Sequence, residues 1–235
     1  MADLSPRLWR PAHVTDIIVE SPRTKTFRLA VEGDCPFIAG QHCSIQLRAP
    51  NGYTTARDYS FSSAPSSGNI DITIARVPHG EMSGWFNDTA KIGDGFDISP
   101  AVGHYFNWTP DQTEPVLLIA GGVGVTPLMG MLREHRDRRS TNLMTMLYSV
   151  RDRENVCFKS ELTDATDVAF TLTGEAPKDW HGNSGRITAA MLRPLLKTDQ
   201  TIYLSGSTRF VEAIDQILAT ELSIDPARVR AERFG

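Results

Sequence analysis

The fold class is decided by the stretch Ile119-Ala120-Gly121-Gly122-Val123-Gly124-Val125-Thr126-Pro127. The continuous apolar run 116–120 is typical of a buried strand, and it stops at small residues. Glycines let a backbone approach a pyrophosphate closely, and Pro127 suits the first turn of a helix, where its missing N–H costs nothing. We therefore predict a strand, a phosphate-binding turn and a helix that starts at Pro127.

This stretch matches neither of the two common phosphate-binding loops. No Gly-Lys-Ser/Thr follows, as a Walker loop would require, and Pro127 stands where G-x-G-x-x-G has its third glycine. Taken alone, the stretch leaves a tight strand-to-helix turn without a ligand as the alternative.

The residues beyond the turn alternate between strand and helix patterns. Apolar residues recur at i, i+3, i+4 and i+7 from Leu128 to His135, which predicts an amphipathic helix. The later elements are predicted in this order: a strand over 143–150, a strand over 169–173, a helix near 188–196, a strand over 201–205 and a helix near 209–222. This alternation predicts a doubly wound parallel sheet.

The first hundred residues carry a different pattern. Apolar and polar residues alternate over 27–31, 43–47 and 70–74, which is typical of half-buried strands. Turn-forming Gly, Pro, Asn and Asp separate these runs, so we predict an antiparallel β-barrel, interrupted by one helical turn around 82–89.

A polar linker is predicted between these two patterns. The run 109–115 has two prolines and no apolar residue, so it has nothing to bury. It divides the chain into a barrel domain over 1–110 and an α/β domain over 115–235.

Composition argues against several classes of function. The formal net charge of −4 is wrong for a nucleic-acid binder. Cys35, Cys43 and Cys157 are too few and too scattered for an iron–sulfur or closed zinc site, so we expect any cluster to sit on another protein. Residues 1–5 do not resemble a signal peptide, and the uncharged run 115–132 is broken by glycines and a proline. We therefore expect a cytoplasmic protein with no membrane span.

A second segment with chemical potential is Arg57-Asp58-Tyr59-Ser60-Phe61-Ser62-Ser63. On a strand, Arg57, Tyr59 and Phe61 share one face. A guanidinium suits a phosphate, a phenol ring stacks on a flat heterocycle, and Ser60 can bond a ring nitrogen. An amphipathic barrel strand without a ligand is the alternative.

Together these segments resemble the ferredoxin-NADP reductase superfamily over essentially the whole chain. Residues 57–63 fit the flavin motif R-x-Y-S-x-x-S, 77–83 resemble its second flavin-phosphate segment, and 121–127 resemble its G-G-x-G-x-T-P loop. Gly40-Gln41 and the terminal 232–235 fit as well.

The resemblance implies an FAD-dependent enzyme that takes a hydride from NADPH or NADH and passes single electrons to a separate ferredoxin, flavodoxin or oxygenase component. It implies catalytic roles for Ser60 near flavin N5, Ser205 beside the nicotinamide and Glu232 on the exit face. The flavin-binding residues implied are Arg57, Tyr59, Ser60, Val77, Gly80, Met82, Ser83 and Phe234. Those implied for the nucleotide are Gly121, Gly122, Gly124, Thr126 and Gly206. For Glu232 and Phe234, a solvated charge and a capping core aromatic are the alternatives.

Nucleotide choice is predicted from the end of the second parallel strand. Ser149 and Arg151 suit a 2′-phosphate and favour NADPH, and Arg186 adds charge. Asp152 suits the ribose hydroxyls of NADH, which stays the alternative.

One segment departs from the family pattern. Ser205-Gly206-Ser207 stands in place of C-G-P, so we expect slower hydride transfer rather than a different fold. A non-catalytic module that senses redox state or nucleotide is the alternative function, and a reductase that releases free reduced flavin is a third.

Two sets of charged or titratable residues are expected to be structural. The histidines lack the i, i+4 spacing of a zinc site: they are His42, His79, His104 and His135. The arginines of one helix are expected to form a solvated face, or else to dock an acidic partner: they are Arg133, Arg136, Arg138 and Arg139.

Overall fold

A computed structural model of the chain describes residues 8–234. The expectation about residues 1–5 and the part of the terminal motif formed by Gly235 lie outside the described residues. No helix between residues 8 and 234 combines the length and the apolar character that a bilayer-crossing helix requires.

The first half of the chain forms an antiparallel sheet of six strands in the order β4-β3-β6-β1-β2-β5. Its strands are β1 (Arg10–Ser21), β2 (Thr24–Val31), β3 (His42–Arg48), β4 (Thr54–Ser60), β5 (Ile70–Ala75) and β6 (Gly95–Ile98). A bridge between Phe61 and Ile72 joins the two outer strands and closes the sheet into a barrel. Alternating apolar residues fill its interior, among them Phe27, Ile45 and Ile72.

The second half forms a parallel sheet of six strands in the order β10-β9-β8-β7-β11-β12. Its strands are β7 (Val116–Gly121), β8 (Met144–Val150), β9 (Val168–Leu172), β10 (Asn183–Ser184), β11 (Thr201–Ser207) and β12 (Val229–Phe234). The chain moves outward from β7 through β8 and β9, then returns to place β11 on the other side. This reversal makes a topological switch point between β7 and β11, where such sheets bind ligands.

The helices are short except for the one after β7. They are α1 (Glu81–Gly84), α2 (Val125–Asp137), α3 (Lys159–Leu162), α4 (Ala189–Leu192) and α5 (Thr208–Gln216). Wider helical turns extend α1 over Trp85–Thr89 and α5 over Ile217–Glu221. The predicted two-part architecture is confirmed: an antiparallel barrel followed by a doubly wound parallel sheet.

Several element bounds differ from the sequence prediction. Helix α2 begins at Val125, so Pro127 is its third residue, still in the first turn where a missing N–H costs nothing. The edge strands β10 and β12 were not predicted, because two residues are too few for periodicity and β12 is mostly half-buried. The domain boundary over 109–115 stays a prediction.

The core lies in three clusters, one inside the barrel and one on each face of the parallel sheet. Even-numbered residues of β7, such as Leu118, face α2, whereas Leu117 and Ile119 face α5. The α2 cluster also contains Phe106 and Trp108 from the loop that follows the barrel. The two halves of the chain therefore share a hydrophobic core.

Gly40 lies where this shared core is tightest. Its φ is +95°, and a Cβ there would lie 2.0 Å from Phe106 O and 2.5 Å from Met131 Cε on α2. Gln41 holds the same loop in place, because its side chain accepts from Ile38 N and donates to Gly103 O.

We therefore expect Gly40→Ala to destabilise the protein by more than about 3 kcal/mol, because the backbone oxygen cannot move aside without repacking the core. Gly33→Ala is the matched control, since its φ is +76° but an added Cβ meets no described atom within 4 Å. The control should lose only about 1–2 kcal/mol of backbone strain. Urea unfolding of both variants measures the difference, and equal losses would contradict the packing argument.

Candidate active site between the two domains

A cleft of about 550 Å³ opens between the end of β4, the α1 segment and the turn before α2. Nine residues singled out from the sequence line it: Arg57, Tyr59, Ser60, Val77, Gly80, Met82, Ser83, Thr126 and Phe234. The flavin motif and the second flavin-phosphate segment therefore meet Thr126 and Phe234 of the second domain in one cavity.

Strand β4 carries the flavin-motif side chains into this cleft. The Arg57 side chain is exposed, and its Nη1 donates to the neighbouring Ala56 O at 2.7 Å. Tyr59 packs edge-on against Phe86 with ring centroids 5.9 Å apart, and burial raises its pKa to about 12. The predicted common face stops at Tyr59: Phe61 lies beyond the strand end and is buried in the barrel core.

The second flavin-phosphate segment forms a turn ahead of α1. Ser83 Oγ accepts from Val77 N at 3.1 Å and donates to Gly80 O at 3.3 Å. This hydroxyl thus closes the turn itself, which leaves the surrounding backbone and Arg57 as the groups open to a phosphate. His79, which the sequence analysis treats as structural, lines the cleft with a φ of +59°.

The glycines of the turn after β7 pack against the end of β11. A Cβ on Gly124 would lie 2.4 Å from Ser205 O, and Cβ atoms on Gly121 and Gly206 would both overlap the ring of Phe210. Gly122 is different, since its φ is +54° and a Cβ there would meet no described atom within 4 Å. Close packing therefore explains why positions 121, 124 and 206 are glycine. Position 122 is glycine because its backbone has a positive φ.

The remaining predicted residues lie at the carboxyl ends of the parallel strands. Ser149 pairs with Gly121 across β7 and β8, and Arg151 follows β8 with an exposed side chain. Ser205 and Glu232 are paired neighbours on β11 and β12. None of the four is among the residues that line the 550 Å³ cleft.

The three predicted catalytic residues share one property with five other side chains between residues 8 and 234. Ser60 Oγ, Ser205 Oγ and Glu232 Oε2 are buried and find no hydrogen-bond partner within residues 8–234. His42 lies beside two of them, because it is the cross-strand partner of Ser60 and its Nδ1 lies 3.9 Å from Glu232 Oε1. An unpaired buried polar atom costs about 1–3 kcal/mol, so each of these three is a candidate contact for a polar ligand.

An isoalloxazine ring fits this requirement, because its rim carries both nitrogen and carbonyl atoms. The residues present therefore suit a flavin on the β4 side of the site. Sequence reasoning missed the part of β5 that lines the cleft, Thr73, Ile74 and Ala75, since a buried strand carries no chemical signal of its own.

Comparison with known proteins supports the same assignment. The profile for the oxidoreductase FAD-binding domain matches residues 11–107, and the profile for the oxidoreductase NAD-binding domain matches residues 118–216. The chain belongs to the ferredoxin-NADP reductase superfamily. It is a flavoprotein oxidoreductase of that group, with domains for FAD and for NAD(P).

Curated members of this superfamily show what the chain is similar to. The reductase subunit of glycine betaine monooxygenase from Chromohalobacter salexigens is 28% identical over 210 residues, which cover 85% of this chain and 56% of that protein. The flavohemoprotein of Bacillus subtilis is 28% identical over 230 residues, which cover 92% and 57%. The chain thus spans a little over half the length of these relatives.

Among solved structures, the FAD/NAD-binding domain of nitric oxide dioxygenase from Vibrio cholerae superposes with a TM-score of 0.82. It is 24% identical, and the match covers 96% of this chain and 98% of that one. This likeness supports the two-domain fold.

Most of the arginines at the end of α2 and directly after it are paired. Arg133 is bonded to Glu161, Arg136 to Asp167 and Arg138 to Glu134. Three of the four charges are therefore matched by carboxylates, which argues against the alternative of a docking patch for an acidic partner.

Burial raises the pKa of Glu232 from its ordinary value of 4.5 to about 7. Between these two pH values the folded protein keeps a proton that the unfolded chain has released, so stability falls as pH rises through this window.

We expect the unfolding free energy of Glu232→Gln not to decrease over this pH window. At pH 8 it should exceed that of the unaltered protein by on the order of 3 kcal/mol. At pH 4 the two proteins should be nearly equal, because both then carry a neutral side chain. Urea unfolding at several pH values measures this, and a difference that stays constant with pH would contradict it.

Proposed function

We propose that this chain takes a hydride from NADPH onto bound FAD and passes the electrons singly to a separate redox protein. The observation that carries the proposal is the trio of buried oxygens on Ser60, Ser205 and Glu232, which have no hydrogen-bond partner among residues 8–234. They come from both domains, and Glu232 lies 3.9 Å from His42 of the barrel domain. A ligand held by only one domain would not need all three.

The protein's part in this reaction is to bind and to orient. Arg57 and the turn 77–83, which line the cleft, would hold the flavin phosphates. Tyr59 and Phe234 would pack against the flavin ring, and Ser60 would donate to the ring near N5. The turn 121–124 and Thr126 receive the nucleotide, and Ser205 with Gly206 border the nicotinamide. When bound, FAD would supply the redox chemistry, since a flavin can accept a hydride from a nicotinamide and release the two electrons one at a time.

The environment of Asp152 supports NADPH over NADH. Its Oδ1 accepts from the backbone N–H groups of Glu154 and Asn155 and from the Asn155 side chain, at 3.1, 3.1 and 2.7 Å. This oxygen therefore caps the turn that follows β8 instead of facing a ribose. Ser149 and Arg151 lie at the same strand end and can bind a 2′-phosphate.

The electron acceptor is proposed from the relatives. The reductase subunit of glycine betaine monooxygenase serves an oxygenase, so an oxygenase component is the first acceptor to test, ahead of a ferredoxin or flavodoxin. A cytoplasmic location belongs to the same proposal.

An anaerobic titration tests the function directly. Adding NADPH to the purified flavoprotein should bleach the flavin absorbance, and ferricyanide or cytochrome c should then be reduced. A flavin spectrum that neither NADPH nor NADH changes would overturn the proposal in favour of the non-catalytic sensing module. Flavin that dialysis strips readily would instead favour a reductase that releases its flavin.

We expect Arg151→Ala to weaken NADPH binding about tenfold or more while leaving NADH unchanged, because only NADPH carries the phosphate that this guanidinium binds. Arg153→Ala is the matched control, since Arg153 is bonded to Asp179 at 2.7 Å and lies over the Trp180 ring. Flavin bleaching at increasing nucleotide concentration measures both affinities. Equal effects on NADPH and NADH would show that Arg151 does not read the phosphate.

A further inference from the structure

Helix α2 connects the two segments that the proposed function assigns to the two cofactors. Its first residue follows the turn Gly122–Gly124, and one of its faces lies along residues 61–67, the chain directly after β4. The residues of this face recur at i, i+3, i+4 and i+7: Gly130, Arg133, Glu134 and Asp137. We call it the docking face of α2.

Gly130 brings the helix backbone into direct contact with this segment. A Cβ at Gly130 would lie 3.0 Å from Phe61 O and 3.1 Å from Ser63 O, tighter than ordinary van der Waals contact. Glycine inside a helix costs about 1 kcal/mol of stability relative to alanine. The contacts that this close approach permits offset that cost. It leaves little room for the helix to slide over the segment.

Arg133 ties the same segment with a strong hydrogen bond. Its Nη1 donates to Ser62 O at 2.7 Å, and Ser62 lies two residues after Ser60. The guanidinium is held in this position from behind, because its Nε donates to Glu161 at 3.0 Å and its Cζ lies 4.8 Å above the Phe158 ring. Phe158 N in turn donates to Glu20 of β1 at 2.7 Å, which is a second bond between the domains.

The far end of the docking face is also bonded to the barrel domain. The buried carboxylate of Glu134 accepts from Ser66 N at 2.8 Å, and Asp137 accepts from Ser66 Oγ at 3.1 Å. The contact therefore runs over the last two turns of α2. Such a long contact resists rotation as well as sliding.

We propose that the docking face of α2 sets the distance between the flavin and the nicotinamide, and that Gly130 and Arg133 are positioning residues for hydride transfer. The proposal rests on the function proposed above. The reacting atoms must approach to roughly 3–3.5 Å, and a misplacement of about 1 Å can cost up to a hundredfold in rate. A helix that begins at the nucleotide turn and is bonded two residues from Ser60 fixes both ends of that distance.

The test compares Arg133→Ala and Gly130→Ala with Arg136→Ala. Arg136 is the matched control because it lies on the same helix and its Nη2 is bonded to Asp167 at 2.8 and 3.0 Å within the second domain. Rapid anaerobic mixing with nucleotide separates the limiting rate of flavin reduction from the half-saturating concentration. Arg133→Ala and Gly130→Ala should lower the limiting rate about tenfold with the half-saturating concentration within about twofold, and Arg136→Ala should change neither. Arg133→Lys should restore part of the rate, since an ammonium can still donate to Ser62 O.

Hydrogen exchange supplies a readout that does not depend on activity. The amides of residues 61–67 should exchange faster in Arg133→Ala and Gly130→Ala than in the unaltered protein, and at the unaltered rate in Arg136→Ala.

Other results of these experiments would overturn either the positioning role or the proposed function. Unchanged limiting rates in Arg133→Ala and Gly130→Ala would overturn the positioning role, and so would an equal loss of rate in Arg136→Ala, which would mean that stability alone is responsible. If neither nucleotide reduces the flavin of the unaltered protein, the proposed function falls and this inference falls with it. Unchanged variants of an active reductase overturn the inference alone.

Discussion

The turn between β7 and α2 lies so close to the end of β11 that no side chain fits between them. A Cβ on Gly124 would overlap the carbonyl of Ser205, and the ring of Phe210 covers the backbone of Gly121 and Gly206. This contact fixes the switch point of the parallel sheet, and with it the place where a nucleotide meets strand ends. It also sets where α2 starts, and α2 carries the interface with the barrel.

The site itself depends on polar atoms that the protein leaves unpaired. Ser60, Ser205 and Glu232 each bury an oxygen without a partner among the described residues, and the cost of doing so lowers stability. A protein built only to fold would bury apolar groups at these positions. Serine at 205, where the family pattern has cysteine, still places a small polar group beside the proposed nicotinamide site.

Two arginines of α2 bind partners within the molecule. The α2 arginines read as a basic patch in the sequence, yet Arg133 bonds the barrel backbone and Arg136 a carboxylate of its own domain. Charge along one helix face cannot reveal this, because the partners Ser62 and Asp167 are distant in sequence. Only the tertiary structure brings each arginine and its partner together.

The sequence by itself determined the two sheet types, their order along the chain and most residues that line the cleft. Periodicity of two and of 3.6 residues, glycine and proline placement, and contiguous motifs are local properties, so they can be read from the chain directly. The tertiary structure alone decided that His42 links Ser60 to Glu232, that Ser83 closes its own turn, and that Gly130 lies against the barrel. These contacts join residues that are far apart in sequence or depend on side-chain orientation, and no local pattern specifies either.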